Sequence, residues 1–334
     1  MKLLVTGGAG FIGSNFIRHL FAGRTGLKVV NLDLLTYAGR EENLADLAGH
    51  PGYQFVRGDV ADRDLVAHLL ADGVDAVVHF AAESHVDRSI GGADPFIHTN
   101  VVGTHCLVEA ARRAGVPRFI QISSDEVYGP VPEGRQAGPD APLSPSNPYA
   151  ASKAAADLMV AAAWRTHGFP GIITRCTNNY GPWQHPEKFI PVLAMAALQG
   201  SEMPIYGDGL QVRDWIHVQD HCRALEAILL HGEPGRTYTI AGHNSVRNLD
   251  MARRILDLAG QPGAAIRHVQ DRPGHDRRYD LDDGVTRREF HWEPRISLSE
   301  GLTSTLNWYR CHRDWWESLT KTSAEKRRHG VATT

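Results

Sequence analysis

Residues 3–13, LLVTGGAGFIG, carry the reading that decides the fold. An apolar run enters a glycine-rich turn and leaves on a second apolar stretch, which predicts strand, tight turn and helix in succession. Gly8, Gly10 and Gly13 form G-x-G-x-x-G, while Gly7, Gly10 and Gly13 also fit G-x-x-G-x-x-G. Such glycines serve three needs: a sharp turn, close approach of backbone to a pyrophosphate, and close packing of helix on strand. The helix that follows offers free N–H groups and the positive end of its dipole to phosphate. Asp33 ends the next apolar run, about 20 residues further on, where a carboxylate accepts ribose hydroxyls and repels a 2′-phosphate. NAD is therefore expected over NADP. The alternative for Asp33 is an acidic helix cap or turn residue.

Outward from this motif, short apolar runs alternate with amphipathic stretches. Lys2–Thr6, Lys28–Leu32, Tyr53–Arg57, Ala76–Phe80 and Phe119–Ser123 read as strands with helices between them. The expected class is α/β: a Rossmann-like, doubly wound parallel sheet with a smaller C-terminal α/β substrate-binding lobe. The run SPSNPYAASKAAADLMVAAAW opens a helix at Asn147 or Pro148, which Gly168 and Pro170 stop near His167; Gly171–Arg175 follows as a buried strand. We expect residues 1–176 to form the NAD-binding domain, with 208–241 returning to it. Residues 177–207 and 242–321 are expected to form the smaller substrate-binding lobe, and 322–334 a frayed tail.

The 334 residues are 42% hydrophobic, enough for a sizeable core, and the net charge of -3 implies no global field for nucleic acid or an anionic membrane. The four cysteines form no CxxC, which speaks against a disulfide framework and a zinc ribbon. With no apolar run near a membrane span or a signal h-region, a cytoplasmic protein is expected. His217 and His221 form H-x-x-x-H without the glutamate of a zinc protease or an evident third ligand, so no metal is expected. Trp308, Trp315 and Trp316 read as lobe packing.

Two pairs carry chemistry. Tyr149 and Lys153, at i and i+4 of a helix, share one face, and an ammonium near a phenol lowers its pKa toward use as a base. Ser124-Asp125-Glu126 places two carboxyls beside a hydroxyl at the ligand-facing end of a strand. Together with the glycine motif, the Tyr149/Lys153 pair and Ser123-Ser124 resemble the extended short-chain dehydrogenase/reductases. TGGAGFIGS, FAAESHVDRSI, SSDEVYG, YAASK, RCTNNYGPWQHPEKFIP, PIYGDGLQVRDWIHVQDHCRA and DRPGHDRRYDLD, in that order, closely resemble the dTDP-glucose 4,6-dehydratase family over roughly residues 1–320.

The resemblance implies an NAD-dependent nucleotide-sugar dehydratase that removes water from dTDP-glucose to give a 4-keto-6-deoxy sugar. Tyr149 would take the C4 hydroxyl proton as hydride leaves for NAD, Glu126 the C5 proton, and Asp125 would protonate the departing C6 oxygen, with Lys153 on the nicotinamide ribose and Ser124 on the reacting oxygen. Many members have threonine where Ser124 stands; both hydroxyls donate the same bond. Implied cofactor contacts are Gly7, Gly10, Phe11, Ile12, Gly13, Asp33, Leu34, Leu35, Thr36, Asp59, Val60, Phe80, Ala81, Ala82, Ser84, Thr99, Tyr149, Lys153 and Asn179. Implied substrate contacts are Ser84, Ser123, Ser124, Asn178, Lys188, Phe189, Pro204, Ile205, Tyr206, Arg213, Asn248, Asp271, Arg272, Pro273, Gly274 and His275. Related enzymes pair two helices, here about Pro95–Ala114 and Tyr149–His167, into a four-helix bundle, which implies a homodimer. Rival readings are a 4,6-dehydratase of another nucleotide sugar such as UDP-glucose, a C4 epimerase or decarboxylating enzyme on the same scaffold, and a non-catalytic NAD-binding protein.

Overall fold

The computed structural model describes residues 1–328 and the side chains of residues 1–320. Seven strands form its main sheet: β1 (Lys2–Thr6), β2 (Lys28–Asp33), β3 (Tyr53–Arg57), β4 (Ala76–His79), β5 (Phe119–Ser124), β6 (Gly171–Cys176) and, after three excursions, β10 (Thr237–Ile240). The excursions are β7 (Asn178–Tyr180), β8 (Met203–Tyr206) and β9 (Val212–His217); β11 (Ser245–Arg247) and β12 (Ile266–Val269) follow. The main sheet runs β3-β2-β1-β4-β5-β6-β10, every pair parallel.

Side chains alternate across a strand, and the two faces of this sheet divide accordingly. Leu3, Val5, Val78, Ile120 and Ile172 bury into a core closed by the Phe11–Gly23 and Val218–His231 helices. Leu4, Val77, Phe119 and Ile173 bury on the opposite face with Leu70, Leu107 and Val160 from three other helices. With both faces covered, the strands carry the near-continuous apolar runs read from the sequence. The chain order reverses at β1, whose neighbours β2 and β4 lead away in opposite directions. A crevice for ligands opens there, beyond the strands' carboxyl ends.

The smaller lobe holds the sheet β11-β9-β7 and the pair β12-β8 around a core that includes Leu193, Ile205, Trp215, Met251, Leu302 and Trp316. The stretch 208–241 divides between the two bodies: β9 pairs with β7 and β11, while the 218–231 helix and β10 pack on the main sheet. Asn147 caps the Pro148–His167 helix, its Oδ1 accepting from the Ala150 N–H at 2.9 Å, and Pro148 opens it. The helix expected over about Pro95–Ala114 is interrupted: Ile97–Gly103 forms wider π turns before α geometry resumes at Thr104. The frayed tail is corrected in part, since the Arg313–Arg328 helix continues past Thr322; the rest of that stretch, 329–334, lies outside the described residues. Among the described residues, no helix is long and apolar enough to cross a membrane and no group of three or more His, Cys, Asp or Glu could hold a metal ion.

Trp308 and Trp315 pack against Trp183, over which the Arg18 guanidinium lies 4.5 Å from the ring centre, and Trp315 Nε1 donates to Asn43 Oδ1 at 3.1 Å. The tryptophans thus join the C-terminal helices to the first helix of the main body, while Trp316 is buried in the small lobe.

Candidate active site

Two connected cavities meet at the end of β5. The first, of about 290 Å³, lies over the crevice at β1 and β4. Gly7 has φ +69° and a Cβ there would stand 2.4 Å from the Ala81 nitrogen; a Cβ on Gly13 would stand 2.5 Å from the Gly7 carbonyl. Both positions exclude any side chain. Gly10 is different: it precedes the Phe11–Gly23 helix, no side chain caps that terminus, and Gly10 itself lines the cavity. Free helix N–H groups facing an open cradle fit a pyrophosphate. At the β2 end, Asp33 Oδ2 accepts from the Ala9 N–H at 3.0 Å and Oδ1 from the Leu35 N–H at 2.8 Å, which aims the carboxylate along the cavity wall. Burial pushes its pKa up, against these two bonds. The residues present fit a dinucleotide.

Every residue named above for the cofactor lines this cavity except Leu35, which instead donates its N–H to Asp33. Asp59 accepts from the His98 ring at 2.8 Å. Asn179 is held from behind, its Oδ1 on His221 Nδ1 at 2.9 Å and its Nδ2 donating to the Thr177 carbonyl at 3.0 Å. That contact, with burial that lowers the pKa of His221 to about 3, gives His221 a place in the packing behind the cavity.

The catalytic candidates cluster where the cavities join. Ser124 caps a single helical turn, Asp125–Tyr128: its hydroxyl accepts from the Glu126 N–H at 3.2 Å and donates to Asp125 Oδ1 at 3.1 Å. Asp125 is only 2% exposed, and its Oδ2 is buried without a hydrogen-bond partner. Burial, then repulsion from Glu126, raises its pKa to about 8, with Arg213 opposing. At neutral pH this carboxyl holds a proton. Glu126 lies half-buried on both cavities, its Oε2 accepting from Asn147 Nδ2 at 3.3 Å. The turn therefore presents a carboxylic acid and a second carboxyl of different environment side by side, the arrangement that separates acid and base roles.

Tyr149 and Lys153 share one helix face toward the first cavity. The expected lowering of the phenol pKa is corrected here. Burial and the nearby Glu126 push it well above its ordinary value, and only the Ser124 hydroxyl pulls markedly the other way. Lys153 Nζ is engaged elsewhere, donating to the Ile122 carbonyl at 2.6 Å.

The second cavity, about 660 Å³, separates the main body from the small lobe. Ser84, Asn178, Lys188, Phe189, Pro204, Tyr206, Arg213, Asn248, Arg272 and His275 line it, whereas Ser123 and Ser124 line the first. Four residues named for the substrate do not line either cavity. Ile205 is fully buried in the lobe core, because alternate residues of β8 face opposite ways. Asp271 orients others, accepting from His275 at 2.6 Å and Gln211 at 3.1 Å, and Pro273 and Gly274 shape the loop behind His275. Lys188 Nζ donates to the Ser84 carbonyl at 2.7 Å, and Arg213 lies 4.3 Å over the Tyr279 ring with both terminal nitrogens on backbone carbonyls.

Sequence reasoning missed a polar brace on this wall. Arg88 stacks 3.8 Å over Tyr37 and pairs with Glu187 at 3.1 Å, and Asp87 accepts from Tyr206 at 3.0 Å and faces Arg272 at 3.4 Å. The signal was present: Asp87 and Arg88 lie within FAAESHVDRSI, and Glu187 precedes Lys188.

A doubly wound sheet with a glycine cradle, a carboxylate at the β2 end and a Ser/Tyr/Lys set beside it defines an extended short-chain dehydrogenase/reductase. The comparisons narrow this. The family model described as GDP-mannose 4,6 dehydratase matches residues 4–305. A dTDP-glucose 4,6-dehydratase of Streptomyces niveus is 50% identical over 323 residues, 96% of each chain, and the low-salt glycan biosynthesis protein Agl12 of Haloferax volcanii is 50% identical over 309 residues, 92% of this chain and 98% of that one. The crystal structure of DesIV, a dTDP-glucose 4,6-dehydratase of Streptomyces venezuelae determined with NAD bound, superposes with a TM-score of 0.93 at 49% identity, covering 96% of this chain and 100% of that one. The chain belongs to the dTDP-glucose 4,6-dehydratase family of nucleotide-sugar dehydratases.

Proposed function

We propose that this protein is an NAD-dependent dTDP-glucose 4,6-dehydratase, and that the observation carrying this reading is the buried Asp125, with a pKa raised to about 8 beside Glu126. Elimination of a hydroxyl from C6 needs a group that donates a proton near neutrality and a second that removes the C5 proton, and two adjacent carboxyls in unlike environments supply both. The residues that line the first cavity would hold NAD, which would supply a hydride acceptor for C4 and, once reduced, a hydride donor for C6.

The chain's own residues do the rest. Tyr149 takes the C4 hydroxyl proton, with Ser124 bonding the same oxygen; burial and Glu126 hold the phenol pKa up, and the Ser124 hydroxyl draws it down. The resulting ketone acidifies C5–H, Glu126 accepts that proton, and Asp125 donates to the leaving C6 oxygen. Lys188, Arg213, Asn248 and Arg272 bind the diphosphate and nucleoside, since cations and amides match its oxygens. The cofactor and substrate contacts named from the sequence are proposed at the lining positions given above. An epimerase has no use for a protonated Asp125, which weighs against that rival.

We read the assembly as a homodimer. Ile97 and Val102 on the 94–113 helical stretch and Leu158 on the 148–167 helix are 50%, 41% and 57% exposed, an apolar face suited to pairing two helices with their symmetry mates. The enzyme is read as cytoplasmic, serving deoxysugar biosynthesis.

Separate incubation with dTDP-, UDP-, CDP- and GDP-glucose, followed by mass spectrometry, tests the reading. Loss of one water from dTDP-glucose at a rate well above the others is expected. Rates within about threefold across all four would overturn the thymidine assignment, since a missing methyl-sized contact alone is worth about 1–3 kcal/mol; no water loss from any would overturn the activity.

A further inference from the structure

The two catalytic pairs stand on different elements, Tyr149 and Lys153 on the 148–167 helix and Asp125 and Glu126 on the turn after β5. One buried side chain touches the support of both. Arg175, on β6 and 5% exposed, lies directly across from Ser123 in the β5–β6 register. Its Nε donates at 2.8 Å to Oδ2 of Asp157, one helical turn beyond Lys153 on the catalytic helix. Its Nη1 donates at 2.8 Å to the Tyr128 hydroxyl, at the end of the Asp125–Tyr128 turn, and at 3.1 Å to the Pro139 carbonyl. The guanidinium carbon also sits 4.9 Å from the centre of the Tyr128 ring. Asp157 is 1% exposed and its Oδ1 has no hydrogen-bond partner. None of these three side chains lines either cavity.

Building on the dehydratase reading, we infer that Arg175 is a positioning residue that sets the oxidation pair and the elimination pair in one register, through Asp157 on one side and Tyr128 on the other. The planar fork of arginine suits this task. It presents separate N–H groups in fixed directions, so moving one partner relative to the other breaks a bond. The reaction needs that rigidity. The sugar must present C4 to Tyr149 and C5 and C6 to Glu126 and Asp125 without leaving the site, and small displacements of reacting groups are costly in rate. Asp157 also places a carboxylate near the Lys153 ammonium, favouring its charged form against burial.

The two arms can be cut separately. In Tyr128→Phe the ring stays and the hydroxyl bond to Arg175 is lost; in Asp157→Asn the volume stays and the charged partner is lost. With holoenzyme and dTDP-glucose, Tyr128→Phe is expected to slow elimination by about 3- to 10-fold, the effect of one buried hydrogen bond. Reduced nicotinamide then accumulates in the steady state, with KM changed by less than about twofold. Asp157→Asn is expected to slow oxidation by a similar factor, with no accumulation of reduced cofactor and a larger rate difference between C4-protio and C4-deuterio substrate. Arg175→Lys, a single point donor, should slow both steps. A merely structural role would lower the melting temperature and leave this partition between steps unchanged. The same partition as wild type in both Tyr128→Phe and Asp157→Asn overturns the inference even if Arg175→Lys does not fold. Wild-type enzyme that turns over no nucleotide sugar would instead overturn the dehydratase reading beneath it.

Discussion

The two cavities are built from different materials. The cofactor cavity is framed by strand ends and backbone: Gly7 and Gly13 lie against neighbouring main chain, and Asp33 is fixed by the N–H groups of Ala9 in the glycine-rich turn and Leu35 in its own loop. The substrate cavity is framed by long side chains from loops, strands and helices of both lobes, with Arg88, Lys188, Arg213 and Arg272 as its lysine and arginine cations and Asp87 and Glu187 braced among them. Substitutions in the first should therefore disturb folding together with binding, and those in the second should change affinity while the fold stands. The catalytic groups lie between, where chemistry alone should suffer.

Predictions follow this division. Tyr149→Phe, at the junction, should lower kcat by about 100- to 10,000-fold, the range of a lost general base, with substrate affinity and melting temperature nearly kept. Retained turnover in steady-state kinetics would remove Tyr149 from the reaction. Gly7→Ala should cost about 2–4 kcal/mol in chemical denaturation and release the cofactor, because it combines a positive φ with a clash against the Ala81 backbone. A stable, NAD-loaded variant would break the claim that backbone frames this cavity.

Smaller effects sharpen the same contrast. Asp125 acts in its protonated form, and its raised pKa means that this form dominates below about 8. Turnover should fall as pH rises through that value, about tenfold per unit beyond it, provided the fold is intact; a rate that kept rising to pH 10 would reverse the sign. Asp87→Asn, in the substrate wall, should raise KM by about two- to threefold without altering the melting temperature, since partly exposed contacts contribute little. A fall in stability comparable to that of Gly7→Ala would erase the distinction between the cavities.

The same division explains what could be read from the sequence. Strands buried on both faces appear as apolar runs, and β1, β3 and the 148–167 helix have the expected ends; β4 stops at His79 and β2, β5 and β6 gain one residue each, the ordinary uncertainty of an end residue. The cofactor cavity depends in part on local sequence, glycines at fixed offsets and an acid at a strand end, and all the residues named for it but Leu35 line it; others on its wall, such as Ala38, Cys176, Thr177, Gln184 and His185, were not named, because loops from distant parts of the chain bring them there. The substrate wall depends on which loops meet. Nothing in PIYG tells that Ile205 turns into the core, or that Tyr206 reaches Asp87 across 119 residues. The direction of the Tyr149 shift was misread for a related reason: helical spacing puts Lys153 on the same face, but the lysine's reach is taken up by the Ile122 carbonyl, and burial then dominates the phenol. Arg175 opens the stretch RCTNNYGPW, but its position there does not tell its task, because its partners Asp157 and Tyr128, 18 and 47 residues before it, meet only in the folded chain.

The central claim is that Asp125 turns an NAD-linked oxidation into a dehydration. Mixing NAD-loaded Asp125→Asn enzyme with dTDP-glucose, and following both the absorbance of reduced nicotinamide and the release of 4-keto-6-deoxy product, tests it most directly. Oxidation at C4 should survive, so reduced cofactor should accumulate while product formation falls by about 100-fold or more. Product released at the wild-type rate, with no reduced cofactor retained, would contradict the assignment.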